Sequence, residues 1–122
     1  MPAPPRTTPD MITALAPGEI IVVGTNIAGR HGGGAAAFAA KHFGLRWGAG
    51  EGLCGQSYAL PTMEGHRALV AASRRFAVYA ELSHDLVFLL TRVGCGIAGY
   101  EEAQVSYLFR DAPVNVIRPA GW

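Results

Sequence analysis

Residues 19–43 have the sequence EIIVVGTNIAGRHGGGAAAFAAKHF, and this stretch decides the fold. It begins with a short, mostly β-branched run from Glu19 to Val23, which Gly24 closes. A continuous run with little alternation is typical of a strand that is covered on both faces, as in a parallel sheet. After a turn-rich loop, residues 35–43 have high helix propensity and Gly44 is a stop signal. The stretch therefore predicts a strand, a glycine-rich loop and a helix whose alanines pack closely against a sheet.

The rest of the chain continues this alternation of strands and helices. Residues 57–61 and 85–91 are strand-like, and residues 66–83 carry apolar or small side chains at intervals of three and four. Residues 101–110 predict a short helix, and residues 114–117 predict a last strand. The order predicts an α/β fold of three layers, α/β/α, with helices on both faces of a short, mostly parallel sheet.

The first 17 residues differ in composition from the remainder. They hold five of the eight prolines, and therefore predict an extended lead-in instead of a helix or strand. A chain of 122 residues suits one domain. We therefore expect a proline-rich lead-in over residues 1–17 and a single α/β domain over residues 18–122.

The composition excludes several classes of protein. Half of the residues are hydrophobic and 16% are charged, which indicates a folded chain. Ten basic and nine acidic residues give a net charge of +1 without a block of one sign, so we expect no extended nucleic-acid surface. No apolar run reaches the roughly 18 residues that span a bilayer, and the first residues lack the basic-then-apolar order of a signal peptide. Two cysteines do not make a disulfide framework. We expect a cytoplasmic protein without a membrane partner.

Glycines concentrate in the loops that should carry the function. Ten of the sixteen lie between Gly24 and Gly55, and three more lie within residues 94–99. Ligands of open α/β sheets bind beyond the carboxyl ends of the strands, where the loops after the first and third predicted strands should meet. Glycine-rich backbone lets amides approach phosphate oxygens, and a helix that begins after Gly34 adds its positive end. A tight turn is the simpler explanation of any single glycine, but the clustering predicts a phosphate-bearing ligand.

The glycine spacing does not match the familiar nucleotide-binding motifs. The chain contains no Gly-x-x-x-x-Gly-Lys-Ser/Thr motif, and residues 29–34 do not form Gly-x-Gly-x-x-Gly. These differences argue against a P-loop enzyme and against an ordinary dehydrogenase.

Residues 21–36 resemble a family of small bacterial and phage proteins in which a strand and an Asn precede a His-Gly-x-Gly-Ala-Ala turn into a helix. This family is similar in turn to the macro domains, which bind ADP-ribose. Asn26 occupies the position of the Asn, and residues 32–34 occupy that of the glycine loop. The resemblance implies a minimal macro-like domain.

A second stretch carries the same resemblance. Residues 91–100 are similar to the macro-domain phosphate loop, with Gly96 to Tyr100 in the places of its Gly-x-x-Gly-Tyr pattern. The resemblance extends over residues 18–119. Macro domains are larger, and they commonly have an acidic residue before the core that grips the adenine amine. Asp10 and Glu19 are the candidates by position.

The resemblance implies where the ligand lies. The diphosphate of ADP-ribose, or of a related NAD-derived nucleotide, would lie between the two glycine loops, and Asn26 would hold the distal ribose. It also implies a possible hydrolysis of an ADP-ribosyl linkage, in which Asn26 and His31 orient the ribose and Glu51 is the base. The residues expected to bind the ligand are Gly24, Thr25, Asn26, Gly32, Gly33, Gly34, Gln56, Gly94, Cys95, Gly96, Ile97, Ala98, Gly99 and Tyr100.

Simpler interpretations stay open for the polar side chains. His31 equally suits a turn or surface residue, and a solvated loop carboxylate is the simpler explanation of Glu51. Gln56 either orders the ligand or only begins the next strand. Cys54 and Cys95 are better explained as buried thiols than as nucleophiles.

The sequence predicts neither a metal nor a cofactor. Three histidines lie at predicted helix ends, His42, His66 and His84, and their spacing does not gather three ligands. Two further functions stay open, a protein that sequesters a nucleotide without turnover and a protein-interaction module with structural glycine loops. The oligomeric state is also open.

Overall fold

The computed structural model describes residues 6–122 and shows a mixed α/β fold. The strands of the described part are β1 (Thr7–Thr8), β2 (Glu19–Thr25), β3 (Gly52–Cys54), β4 (Ser57–Pro61), β5 (Val87–Leu90) and β6 (Val116–Pro119). The helices are α1 (Gly34–His42), α2 (His66–Glu81) and α3 (Glu102–Val105), and a 3₁₀ turn (Ser106–Phe109) continues α3.

These six strands form one sheet of order β1-β6-β5-β2-β4-β3. Neighbouring strands are parallel except β3, which pairs antiparallel with β4. The predicted fold class, a mostly parallel sheet with helices on both faces, is therefore confirmed.

The central strand β2 explains why its sequence lacks alternation. It pairs with β4 on one side and β5 on the other, and Ile20 to Val23 are all at most 4% exposed. Ile20 and Val22 point into one core cluster, whereas Ile21 and Val23 point into the other. A strand covered on both faces buries every side chain, so the apolar run is continuous.

The helices divide between the two faces of the sheet. On one face α1 packs through Ala36 and Ala39 against Ile21 and Val23, where small side chains allow a close approach. The larger core lies on the other face, where Phe76 of α2 contacts the ring of Phe88 with centroids 5.4 Å apart. Among residues 6–122, no helix is both long and apolar enough to cross a membrane.

The structure differs from the sequence prediction at the lead-in. Pro2, Pro4 and Pro5 lie outside the described residues, but β1 pairs parallel with β6, where the Thr8 hydroxyl donates to the Ile117 carbonyl at 3.0 Å. Ile12 and Leu15 pack against the α1 core. Part of the predicted lead-in thus belongs to the sheet, since the open edge of β6 supplies backbone partners for a short polar strand.

Two further elements differ from the prediction. Residues 45–55, a glycine-rich stretch for which the sequence predicts no regular element, contain the three-residue edge strand β3. The helix predicted over residues 101–110 divides into α3 and the 3₁₀ turn. Neither short element has a periodicity long enough to be recognised in the sequence.

Candidate functional site

The carboxyl ends of β2, β4 and β5 meet at one edge of the sheet, and the loops that follow them enclose a cavity of about 320 Å³. We call this cavity the loop cleft. It is lined by residues 24–26, 30–36, 62–63, 91–94 and 96–98. The structure therefore brings the two predicted glycine loops, which lie about 60 residues apart in the sequence, to opposite walls of one cleft.

The two loops approach each other closely at Gly33. A Cβ atom added to Gly33 would lie 3.8 Å from Cδ1 of Ile97 in the other loop. Gly33 is also the N-cap of α1, whose first turn carries no acidic residue, and within the described residues no side chain caps it. The first backbone N–H groups of a helix lack intrahelical partners and carry a partial positive charge. The floor of the cleft is therefore suited to an anion.

A second cavity of about 380 Å³ adjoins the loop cleft, and we call it the lead-in cavity. Its walls come from residues 8–12, from Phe38 of α1 and from the sheet residues Ile21 and Pro119. It is mainly apolar. The two cavities share residues 34–35 and 91–92, so together they form one elongated depression.

Arg92 is the charged residue that lines both cavities. Its guanidinium donates to the Ala120 carbonyl at 3.0 Å and pairs with the carboxylate of Glu102. Glu102 also accepts a hydrogen bond from the Trp122 indole at 2.8 Å. This hydrogen bond and the ion pair with Arg92 both lower the pKa of Glu102. The cation is therefore held in place at the junction. Sequence analysis missed Arg92, although its position directly after a buried strand was the available signal.

The side chain of Asn26 bridges the loop that also carries Arg30 and His31. Its Oδ1 accepts from the Arg30 amide at 2.9 Å, and its Nδ2 donates to the Arg30 carbonyl at 3.0 Å. Side-chain amides of this kind imitate a backbone turn. Each of the two amide atoms retains one further hydrogen-bonding position. Asn26 thus fixes the loop and can still bind a ligand hydroxyl.

His31 lies at the same end of the cleft and is only 5% exposed. Its Nε2 lies 2.8 Å from the Ala49 carbonyl oxygen. Since a carbonyl oxygen only accepts, Nε2 carries the proton and Nδ1 of the neutral ring has the free lone pair. Nδ1 is buried and has no hydrogen-bond partner among residues 6–122. An unsatisfied buried acceptor costs about 1–3 kcal/mol, so this atom is suited to a donor that arrives with a ligand.

Residues 46–50 pack against the loop that carries Asn26 and His31. The Gly48 amide donates to the Gly29 carbonyl at 2.8 Å, and the Thr25 hydroxyl donates to the Gly50 carbonyl at 2.6 Å. A Cβ atom at Gly29 would overlap the backbone of Gly48, and one at Gly50 would overlap the carbonyl of Ile27. These glycines are present because two backbones touch, and they do not line the cleft.

Glu51 does not lie where a base for the cleft would be needed. Both of its carboxylate oxygens accept hydrogen bonds from Arg75 of α2, at 2.6 and 2.9 Å, and Glu51 does not line the cleft. Gln56 precedes β4 and thus lies at the amino end of a parallel strand, away from the cleft. Its Nε2 donates to the carbonyls of Ala16 and Glu19.

Three predicted residues of the second glycine loop shape that loop but do not line the cleft. Gly99 has a φ of +79° and closes a turn on the Gly96 carbonyl at 3.0 Å. The ring of Tyr100 covers Gly94 and packs against the core. Burial raises the pKa of the Cys95 thiol, which is thereby a poor nucleophile. The other predicted ligand residues, from Gly24 to Gly34 and from Gly94 to Ala98, line the cleft.

We expect the Glu51→Gln variant to retain the ligand affinity of the wild type, because Glu51 lies outside the cleft. Arg75 is 54% and Glu51 25% exposed in their side chains, so loss of this surface pair should cost less than about 1 kcal/mol of unfolding free energy. Ligand titration and urea unfolding of the two proteins check this. A large loss of ligand affinity would contradict this prediction and show that Glu51 contributes to the binding site.

Within residues 6–122, no group of three or more His, Cys, Asp or Glu side chains is placed to hold a metal ion. Comparison with protein-family models, with curated proteins and with solved structures finds no match. The resemblance to macro domains therefore stays a prediction.

Proposed function

We propose that the protein binds ADP-ribose, or a related NAD-derived nucleotide, along the loop cleft and the lead-in cavity. One observation carries the proposal: the glycine loops after β2 and β5 face each other across a cleft whose floor is the start of α1, which no side chain of residues 6–122 caps. Of the residues that resemble the two macro-domain loops, Asn26, residues 32–34 and residues 96–98 line this cleft, whereas Gly99 and Tyr100 do not.

The diphosphate would lie between the loops near Gly33. Backbone amides and a helix N-terminus attract phosphate oxygens without a broad basic surface, which agrees with a net charge of only +1. Arg92 adds one fixed cation at the junction of the cavities. A charge-assisted hydrogen bond from a guanidinium is stronger than a neutral one.

The lead-in cavity is suited to the adenine. Its lining residues include the apolar Met11, Ile12 and Phe38, together with Asp10, whose carboxylate would accept from an exocyclic amine. The other acidic candidate, Glu19, is already engaged, since it accepts hydrogen bonds from the Ala16 amide and from Arg6. These observations favour Asp10 as the acidic residue that the resemblance requires.

The distal ribose would lie at the end of the cleft formed by Asn26 and His31. A ribose hydroxyl that donates to Nδ1 of His31 would satisfy the unpaired buried acceptor. The same atom favours hydrolysis as a second candidate function, because a free imidazole lone pair can take the proton of an attacking water. Since Glu51 is bound to Arg75, His31 replaces it as the candidate base.

Titration calorimetry with ADP-ribose tests the proposed binding. We expect saturable binding at one site, with ADP-ribose bound more tightly than AMP or ribose 5-phosphate, because each fragment fills only part of the depression. If millimolar ADP-ribose produces no measurable heat and no change in Tm, the proposal is rejected.

Turnover is tested separately with acetylated ADP-ribose and an ADP-ribosylated peptide, with free ADP-ribose measured by chromatography. If the wild type releases ADP-ribose and the His31→Asn variant does not, the result supports hydrolysis. Binding without release supports the sequestering function instead.

A further inference from the structure

A carboxylate lies close to the cation of a site that we propose for an anion. Glu102 pairs with Arg92, which lines both cavities, although Glu102 itself lines neither. A carboxylate repels phosphate and offsets part of the attraction of the cation. The side chain of Glu102 is also 55% exposed, and an exposed ion pair contributes little to stability. Neither attraction of the ligand by charge nor stability of the fold therefore explains this pair.

The contacts of Arg92 fix the direction of its guanidinium group. Arg92 follows β5, and its Nη2 donates to the carbonyl of Ala120 at 3.0 Å, next to Pro119 in the lining of the lead-in cavity. Its Nη1 donates to the carboxylate of Glu102 in α3. The two acceptors lie on different segments, so together they hold both terminal nitrogens. A long side chain held in this way has lost its rotamer freedom before a ligand arrives.

Glu102 is itself held by a second donor. Its Oε1 accepts hydrogen bonds from Arg92 and from Nε1 of Trp122, the latter at 2.8 Å. The Trp122 ring stacks on Phe109 with centroids 5.9 Å apart, and the Trp122 carbonyl accepts from Arg118 at 3.0 Å. The carboxylate therefore connects Arg92 to a side chain that is packed and hydrogen-bonded in its own right.

These contacts leave part of the guanidinium group free for a ligand. Of its five N–H groups, three have no acceptor among residues 6–122, namely Nε–H and one on each terminal nitrogen. The planar fork of a guanidinium matches two oxygens of a phosphate group. Arg92 thus combines a fixed direction with unused donors at the junction of the two cavities.

We propose that Glu102 is a positioning residue for the diphosphate. It holds Arg92 so that the free N–H groups of the guanidinium contact phosphate oxygens at the junction. Glu102 does not touch the ligand and acts through Arg92 alone. The gain from a cation whose side chain is already ordered exceeds the repulsion by the carboxylate. The diphosphate as the bound group rests on the proposed function.

Titration calorimetry of the full chain separates positioning from charge by the sign of the effect. We expect Glu102→Ala to bind ADP-ribose about 2-fold to 10-fold more weakly than the wild type, because binding must then order the released Arg92 side chain. If the carboxylate acted only through its charge, the same variant would bind more tightly, since a repelling group has been removed. Equal or tighter binding overturns the positioning role.

Glu102→Gln is the matched control, because it loses the same charge but keeps an acceptor oxygen for Arg92. Its affinity for ADP-ribose should lie above that of Glu102→Ala, and equal affinities of the two variants overturn the proposal. In an Arg92→Gln background, Glu102→Ala should leave the affinity unchanged. An undiminished loss in that background shows that Glu102 does not act through Arg92, and it likewise overturns the proposal.

The ligand-free protein provides a measurement that does not depend on the proposed function. ¹⁵N relaxation of the Nε–H group of Arg92 reports how ordered the guanidinium is, and Arg92→Gln assigns the signal by its loss. We expect an ordered group in the wild type and a mobile one in Glu102→Ala. An Arg92 side chain that is equally ordered in both proteins overturns the positioning role.

Failure of the inference is distinguishable from failure of the proposed function. If ADP-ribose binds the wild type and Glu102→Ala equally well, only the role of Glu102 is overturned. If ADP-ribose does not bind the wild type, the proposed function fails, and inorganic pyrophosphate becomes the probe. Pyrophosphate that binds Glu102→Ala more weakly than Glu102→Gln then supports the positioning role. No binding of pyrophosphate, or equal binding by the two variants, overturns it.

Discussion

The Gly33→Asp variant should lose at least about 100-fold in affinity for ADP-ribose, which corresponds to about 2.7 kcal/mol. Gly33 lies between the two glycine loops, where an added side chain enters the loop cleft near Ile97. A carboxylate there would face the proposed diphosphate, and two like charges 4 Å apart near a protein surface repel by about 4 kcal/mol. Titration calorimetry with ADP-ribose measures the loss.

The same substitution should not unfold the protein. The φ of Gly33 is −163°, an extended conformation that any residue adopts, and Gly33 is the N-cap of α1. Aspartate is a favourable N-cap residue, so urea unfolding should give a free energy equal to or slightly above that of the wild type.

Gly33→Asn is the matched control, because asparagine has nearly the same shape and is an equally good N-cap without the charge. We expect it to lose less than about 10-fold in affinity. An aspartate variant that binds ADP-ribose like the wild type would place the diphosphate elsewhere and remove the main support for the proposed function.

The Gly50→Ala variant should have the largest effect on stability, lowering the free energy of unfolding by about 2–6 kcal/mol. A Cβ atom at this position overlaps the Ile27 carbonyl, so the loops must separate. Overpacking costs about 1–3 kcal/mol, and the buried Thr25 hydroxyl would lose its bond to the Gly50 carbonyl at a cost of a further 1–3 kcal/mol or so. Urea unfolding measures the change, and ADP-ribose affinity should fall with it.

Gly48→Ala tests the same change in the same loop without the overlap. A Cβ atom there has open space, and the φ of +95° adds only the strain of an unfavourable backbone conformation, about 1–2 kcal/mol. Its affinity for ADP-ribose should stay near that of the wild type. The reverse order of stabilities would show that the two loops are not packed as described.

The elements that the sequence predicts correctly are those whose signal is local. The β2 run, the alanine-rich α1 and the amphipathic α2 each combine propensity with burial of one face or of both, so the observed elements lie within two residues of the predicted bounds. The meeting of the loops after β2 and β5 was also predictable, because parallel strands of one sheet place their carboxyl ends at a common edge.

The elements and side chains whose observed positions differ from the sequence prediction depend on partners that are distant in the sequence. The strand β1 forms because β6 offers an open edge more than 100 residues away, and no pattern in two threonines announces it. Glu51 lies between two glycines and is free to turn either way, but Arg75 of α2 determines its direction. A short sequence window contains neither partner, and the same holds for Arg92, which Glu102 and Ala120 orient.

The lead-in supplies a wall of the cavity proposed for adenine, and among its described residues, 6–17, the two that pair in the sheet are Thr7 and Thr8. A ligand in that cavity would touch both this segment and α1. Occupancy and attachment of the segment are therefore thermodynamically linked, and each must favour the other by the same free energy. A bound nucleotide would therefore hold the segment against α1, and the attached fraction of the segment would rise with the occupancy of the site.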